Sequence, residues 1–165
     1  MTKKMGRSLL ALAALSVAAV ASADDSVLTI TVTGERFSTF WEVDGQQQSS
    51  VDFDFDGYTT TAGDDVDSKS RAVSLVDTKF SAGDDKSVVY SSPTGCSIVS
   101  GGQPTPVLPG DIALVNSSNG DVAQNAGPLT LKVSTPASLL LRMAGVGAVA
   151  GEVSCTGTGA LTYTY

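Results

Sequence analysis

Leu28-Thr29-Ile30-Thr31-Val32-Thr33-Gly34 and, further along, Val51-Asp52-Phe53-Asp54-Phe55-Asp56-Gly57 are the two stretches that decide the fold. In each, every second side chain is apolar, the residue between is hydroxylated or acidic, and a glycine stops the run. A strand sends successive side chains to opposite faces, so a period of two predicts strands with one wet and one buried face. Working outward, similar short runs occur at 72–77, 87–91, 96–99, 111–115, 129–134, 138–143, 149–155 and 160–165. Phe37, Trp41 and Val43 fall on one side of a further segment before Asp44-Gly45 turns the chain. The nearest approach to a helix is 137–144 behind Pro136, but Gly145, Gly147 and Gly151 would break it. Many short strands between turn residues predict an all-β chain, built as a sandwich or a barrel.

The chain has 165 residues, with 10 Lys plus Arg against 17 Asp plus Glu, and no histidine. Its first 23 positions read as a signal peptide: Lys3, Lys4 and Arg7, then an apolar run, then Ala21-Ser22-Ala23. That run is shorter than the roughly 20 residues needed to span a bilayer. The expectation is an exported protein, starting at Asp24 and forming a single β-sandwich domain over 24–165. Removing three cations with the leader leaves a chain more acidic than the net −7 of the whole. Such a surface repels phosphate backbones and anionic lipid, so neither nucleic acid nor membrane insertion is expected. The absence of histidine excludes Ser-His-Asp and Cys-His catalysis and every His-ligated metal.

Cys96 and Cys155 are the only cysteines. In an exported chain they predict one structural disulfide, and closing a loop of roughly 60 residues contributes about 4 kcal/mol in the entropic treatment. The Gly- and Pro-rich stretch 101–110 reads as a connecting loop, because neither side alone could bury a core. Thr61-Ala62-Gly63-Asp64-Asp65 and Ser81-Ala82-Gly83-Asp84-Asp85 form a short repeat, read as two acidic loops at one end of the sandwich.

Several patterns suggest chemistry, and each has a plainer structural reading. Asp52, Asp54 and Asp56 with Gly57 match the opening of a calcium loop, with Asp64 or Asp65 as further ligands. The loop's closing bidentate glutamate is missing, since Gly63 stands there, and alternating aromatics inward with carboxylates outward explains the stretch without a metal. No other cofactor is expected. Phe37, Phe40, Trp41, Phe53, Phe55 and Tyr58 cluster beside Asp44 and Gln46 to Gln48, as stacking platforms for a sugar would; filling a core is the simpler reading. Gly145-Val146-Gly147-Ala148-Val149-Ala150 imitates a dinucleotide fingerprint, but the chain ends before the rest of that unit could follow. Asn116-Ser117-Ser118 fits a glycosylation sequon and reads as a turn with Asn119-Gly120. A carboxylate pair drawn from Glu35, Glu42 and Glu152 is all the acid-base equipment a glycosidase could use, and nothing in the sequence brings two of them together. The chain is expected not to be an enzyme.

The two ends carry the most information. Leu28, Ile30 and Val32 alternate cleanly at the start of the exported chain, and Leu161, Tyr163 and Tyr165 do so at its finish. Ordinary termini fray, so two patterned terminal strands predict that both have partners. In this the chain resembles bacterial fimbrial subunits of the chaperone-usher type, and Gly151 ahead of Tyr163 resembles that family's glycine before a C-terminal tyrosine. The resemblance implies an immunoglobulin-like β-sandwich completed by strand exchange, with 24–34 as donor strand. Leu28, Ile30 and Val32 would fill a neighbour's groove, while Leu161, Tyr163 and Tyr165 would form the strand that pairs with a periplasmic chaperone, before an outer-membrane usher assembles copies on the cell surface. Cys155 lies later than the cysteines of such subunits, so the architecture transfers and the detailed topology does not. Two other readings are a monomeric secreted or periplasmic β-sandwich binding module and a small outer-membrane β-barrel. The barrel is disfavoured because the aromatics gather in one cluster instead of two girdles.

Overall fold

Within the described residues, the runs read as strands are paired strands. The computed structural model describes residues 26–34, 39–55, 65–100, 102–144 and 152–163. The leader, Glu35, Phe37, Asp56, Gly57, Tyr58, Gly63, Asp64, the 145–151 segment and Tyr165 lie outside the described residues.

In chain order the strands are β1 (Ser26–Gly34), β2 (Thr39–Val43), β3 (Gln46–Gln48), β4 (Ser50–Phe55), β5 (Val66–Asp67), β6 (Arg71–Asp77), β7 (Asp85–Ser91) and β8 (Cys96–Ser100). Then come β9 (Gln103–Val107), a 3-10 turn (Pro109–Asp111), β10 (Ile112–Asn116), β11 (Asp121–Ala123), β12 (Gly127–Lys132), β13 (Ala137–Met143), β14 (Glu152–Ser154) and β15 (Gly159–Tyr163). They form an all-β sandwich. One sheet has five strands in the order β12-β7-β15-β1-β4. A second has seven: β11-β10-β13-β6-β2-β3, with β5 also pairing β13. A small third sheet runs β14-β8-β9.

The inward side chains make one apolar cluster. From the five-stranded sheet come Leu28, Ile30, Val32, Val51, Phe53, Phe55, Val88, Tyr90, Leu129, Leu131, Leu161 and Tyr163. The seven-stranded sheet contributes Trp41, Val43, Val73, Leu75, Ile112, Leu114, Leu139, Leu141 and Met143. Cys96, Ile98, Val107 and Val153 of the third sheet join the same cluster. Trp41, Phe53 and Phe55 are therefore core residues, as the need for large apolar side chains predicts.

Turn chemistry follows the sequence at two places. Asp44 and Gly45 both take positive φ, 51° and 77°, the geometry a two-residue hairpin needs, and they join β2 to β3. Asn116 starts the expected turn, with its carbonyl accepting from Gly120 N–H at 2.8 Å.

The stretch read as a loop at 101–110 contains a strand instead. Pro104 and Pro106 sit at alternate positions of β9, so both imide nitrogens face the same side. β9 is the edge of its sheet, where that side needs no partner.

Candidate strand-complementation site

The first strand is an interior strand of the five-stranded sheet, set between the edge strand β4 and the central strand β15. β1 runs antiparallel to β4, with Leu28 opposite Phe53 and Ile30 opposite Val51. Its other edge runs parallel to β15, with Ile30 opposite Gly159 and Val32 opposite Leu161. This is the one parallel ladder among the described strands. A parallel pair cannot be made by a hairpin, so the two strands meet only because the whole sandwich intervenes.

Leu28, Ile30 and Val32 are 3%, 1% and 4% exposed. Burying three such side chains contributes on the order of 6 kcal/mol before entropy is counted. The alternate residues face water: Thr29 Oγ1 donates to Asp52 Oδ1 at 2.7 Å, and Thr33 Oγ1 to Thr162 Oγ1 at 3.4 Å. Beyond the end of its pairing with β4, Val32 N–H still reaches the Ser49 carbonyl at 2.9 Å. The sequence-predicted donor residues thus fill a groove, and in this single chain the groove is the chain's own.

Leu161 and Tyr163 face the same interior, 1% and 2% exposed, while Tyr165 lies outside the described residues. Their strand pairs on its far side with β7, where Leu161 stands opposite Tyr90. Tyr90 is wholly buried, its hydroxyl donating to the Ile112 carbonyl at 3.3 Å. Ser92 Oγ donates to the same carbonyl at 2.9 Å and lies 2.7 Å from the Pro109 carbonyl. Burial pushes the Tyr90 phenol up to about 12, with the Ser92 hydroxyl opposing part of that rise.

The Cys96–Cys155 disulfide is present and bridges adjacent strands. Ser97 pairs with Ser154 and Thr94 with Gly157, so the cysteines stand directly opposite each other in one continuing antiparallel ladder, with Cα atoms 3.9 Å apart. Cys155, Thr156, Gly157 and Thr158 then pass beside Val27, Leu28 and Thr29, lining a cleft of about 140 Å3 at the start of β1. The crosslink therefore fixes the segment that delivers β15 to β1.

The outer edge of β4 is covered. Arg71 Nη1 donates to the Asp52 carbonyl at 3.0 Å and Lys69 N–H to the Asp54 carbonyl at 2.7 Å. Arg71 also meets Asp44 Oδ2 at 2.6 Å, tying the β2–β3 hairpin to the five-stranded sheet. These contacts bear on the calcium reading. Asp52 and Asp54 project from an extended strand with Phe53 buried between them and Phe55 buried after them, so this part of the motif runs straight instead of curling as a calcium loop does. Among the described residues no group of three acidic or sulfur ligands could hold a metal; Asp56 and Asp64 lie outside them. Asp65 instead approaches Arg142, which is paired at two points with Asp67 at 2.7 Å. That pairing pushes the Arg142 guanidinium above its ordinary range.

Glu42 lies on β2 of the seven-stranded sheet and Glu152 on β14 of the small sheet. Sequence reasoning missed Gly159. A Cβ there would strike Ile30 Cδ1 and come within 2.8 Å of the Ser91 carbonyl and 3.0 Å of Pro93 Cδ. The available signal was a glycine opening an otherwise regular strand, which marks a close approach. No protein-family model, curated protein or solved structure matches the chain.

Proposed function

We propose that the chain is an exported structural subunit of a bacterial surface fibre, a fimbria that serves adhesion or biofilm formation, in which β1 of one copy completes the sandwich of the next. The observation that carries this reading is the seating of β1: a strand at the start of the exported sequence, flanked by β4 and β15, with all three inward side chains in the core. Supplied by a second copy, the same strand would make the same ladder and fill the same groove, so exchange conserves the contacts. Backbone hydrogen bonds provide affinity, and Leu28, Ile30 and Val32 fix register, because a one-residue slip would turn threonines into the core. Until a donor arrives, the open edges of β4 and β15 and the apolar groove between them are an aggregation hazard, which calls for a periplasmic chaperone and an outer-membrane usher as partners.

The test is a gel of material sheared from cells, run with and without boiling, for the full chain and for one lacking 24–34. A ladder that collapses on boiling and disappears on deletion supports the fibre. A monomer band alone in the unboiled lane of the full chain overturns it.

A second reading rests on the same seating, taken as it stands within one chain. β1 is in register with β4 and β15 of the same chain, which closes the sandwich without a partner and suits a monomeric secreted or periplasmic binding module. For such a module the deletion lowers stability and leaves the oligomeric state unchanged.

A further inference from the structure

At one open end of the sandwich, the turn after β10, the last residues of β12 and the β12–β13 turn enclose a cleft of about 240 Å3. None of its lining residues belongs to β1, β4 or β15, so it is separate from the strand seat and stays formed whichever copy supplies β1.

One wall is Asn116, only 5% exposed. Its Oδ1 accepts from Ser118 N–H at 3.1 Å, while among the described residues its Nδ2 donates to nothing. That nitrogen is not fully enclosed, and it belongs to a residue that lines the cleft. Buried amides nearly always have partners at both ends, which makes this donor informative.

The other polar groups complement it. The Thr130 hydroxyl, exposed on β12 of the other sheet, also lines the cleft and has no hydrogen bond among the described residues. Ser118 Oγ accepts from Ser138 N–H at 2.9 Å and keeps its own proton to donate. Thr135 Oγ1 donates to the Val133 carbonyl at 3.3 Å and keeps lone pairs to accept. At the rim, Lys132 and Asp85 neutralise each other at 2.8 Å. Pro136 and Ala137 add an apolar facet.

The cleft therefore sets a few donors and acceptors, with no net charge, in a largely apolar lining, in a space below the roughly 300–1,000 Å3 of drug-sized sites. A sugar ring has the matching character: hydroxyls that both donate and accept, an apolar C–H face and no charge. We propose that this cleft binds a single neutral pyranose unit of a glycan. Asn116 Nδ2 donates to a ring hydroxyl, Thr130 exchanges a hydrogen bond with its neighbour, and Pro136 packs against the C–H face. A sialic acid has no unpaired cation to meet there, since Lys132 is already neutralised.

The test uses the isotopically labelled chain from Asp24 onward, titrated with the methyl glycosides of galactose, mannose, glucose and N-acetylglucosamine, and with that of sialic acid as the charged control. Saturating amide shifts are expected with at least one neutral glycoside, confined to 116–119, 130–132 and 135–137. Losing one hydrogen bond in Thr130→Val should weaken that binding about 3- to 10-fold. Asn116→Ala should weaken it at least as much, and because Thr130 is an exposed strand residue, its valine variant decides the matter if Asn116→Ala fails to fold. The proposal is overturned by no saturable shifts with any neutral glycoside, by tighter binding of the sialic acid, or by binding that Thr130→Val leaves unchanged.

Discussion

Gly159 stands opposite Ile30 in the parallel β1–β15 ladder, and the missing Cβ at Gly159 is what gives the Ile30 side chain its room. Gly159→Ala would drive a methyl against Ile30 Cδ1 with the Ser91 carbonyl 2.8 Å away on another side. Overpacking of this kind costs about 1–3 kcal/mol. The expected outcome is a lower denaturant midpoint with an unchanged slope. Ile30→Val removes the colliding methyl and should recover part of the loss in the double variant. If the two substitutions are simply additive, the contact is not the cause.

Reduction of the disulfide, or the pair Cys96→Ser with Cys155→Ser, should cost about 2–5 kcal/mol. Because the bridge holds Cys155 beside Val27, Leu28 and Thr29, the reduced chain should lose amide-exchange protection first in β1, β8 and β14. Uniform loss across the seven-stranded sheet as well would argue that the bridge acts only on the unfolded chain.

Tyr90 gives a pH dependence with a definite sign. Its pKa rises from 10.0 to about 12 on folding, so the folded state keeps a proton that the unfolded state has released. That contribution is fully present below pH 10 and is lost as pH climbs toward 12, on the order of 3 kcal/mol in all. Urea midpoints measured across this window should fall more steeply for the native chain than for Tyr90→Phe. Parallel slopes would place the alkaline loss elsewhere.

Calcium should have little effect. With Asp52 bound to Thr29 and β4 extended through Phe55, millimolar calcium and chelator are expected to give the same melting temperature. A rise of several degrees that vanishes in Asp56→Asn would restore the calcium loop.

The strands legible in the sequence are those with one wet and one dry face. At β1 and β4 burial alternates residue by residue and composition alternates with it, while β13 alternates in burial although Leu140 interrupts the alternation of composition. β10 was also found, although Ile112 to Asn116 are buried throughout, because β-branched and aliphatic residues between turns mark a fully enclosed strand. Gln46–Gln48 and Gln103–Val107 were not legible: one is uniformly polar and exposed, the other carries two prolines, and each is an edge strand defined by its neighbour. Of the site, the inward residues of β1 and β15 and the cysteine pairing could be read locally. The contact between Ile30 and Gly159 could not, because it depends on which strands become adjacent. Asn116 shows the same limit. As a turn residue it was recognised, but its idle amide is a property of the surrounding elements.

The parallel pairing of β1 and β15 also sets the order of events in folding. Synthesis delivers β1 well before β15, so Ile30 waits for Gly159 while all the intervening strands are made. Contacts this distant in sequence form late and slowly. Throughout that interval β1 has no finished sandwich of its own, and under the proposed exchange this is when the groove of another copy would take it.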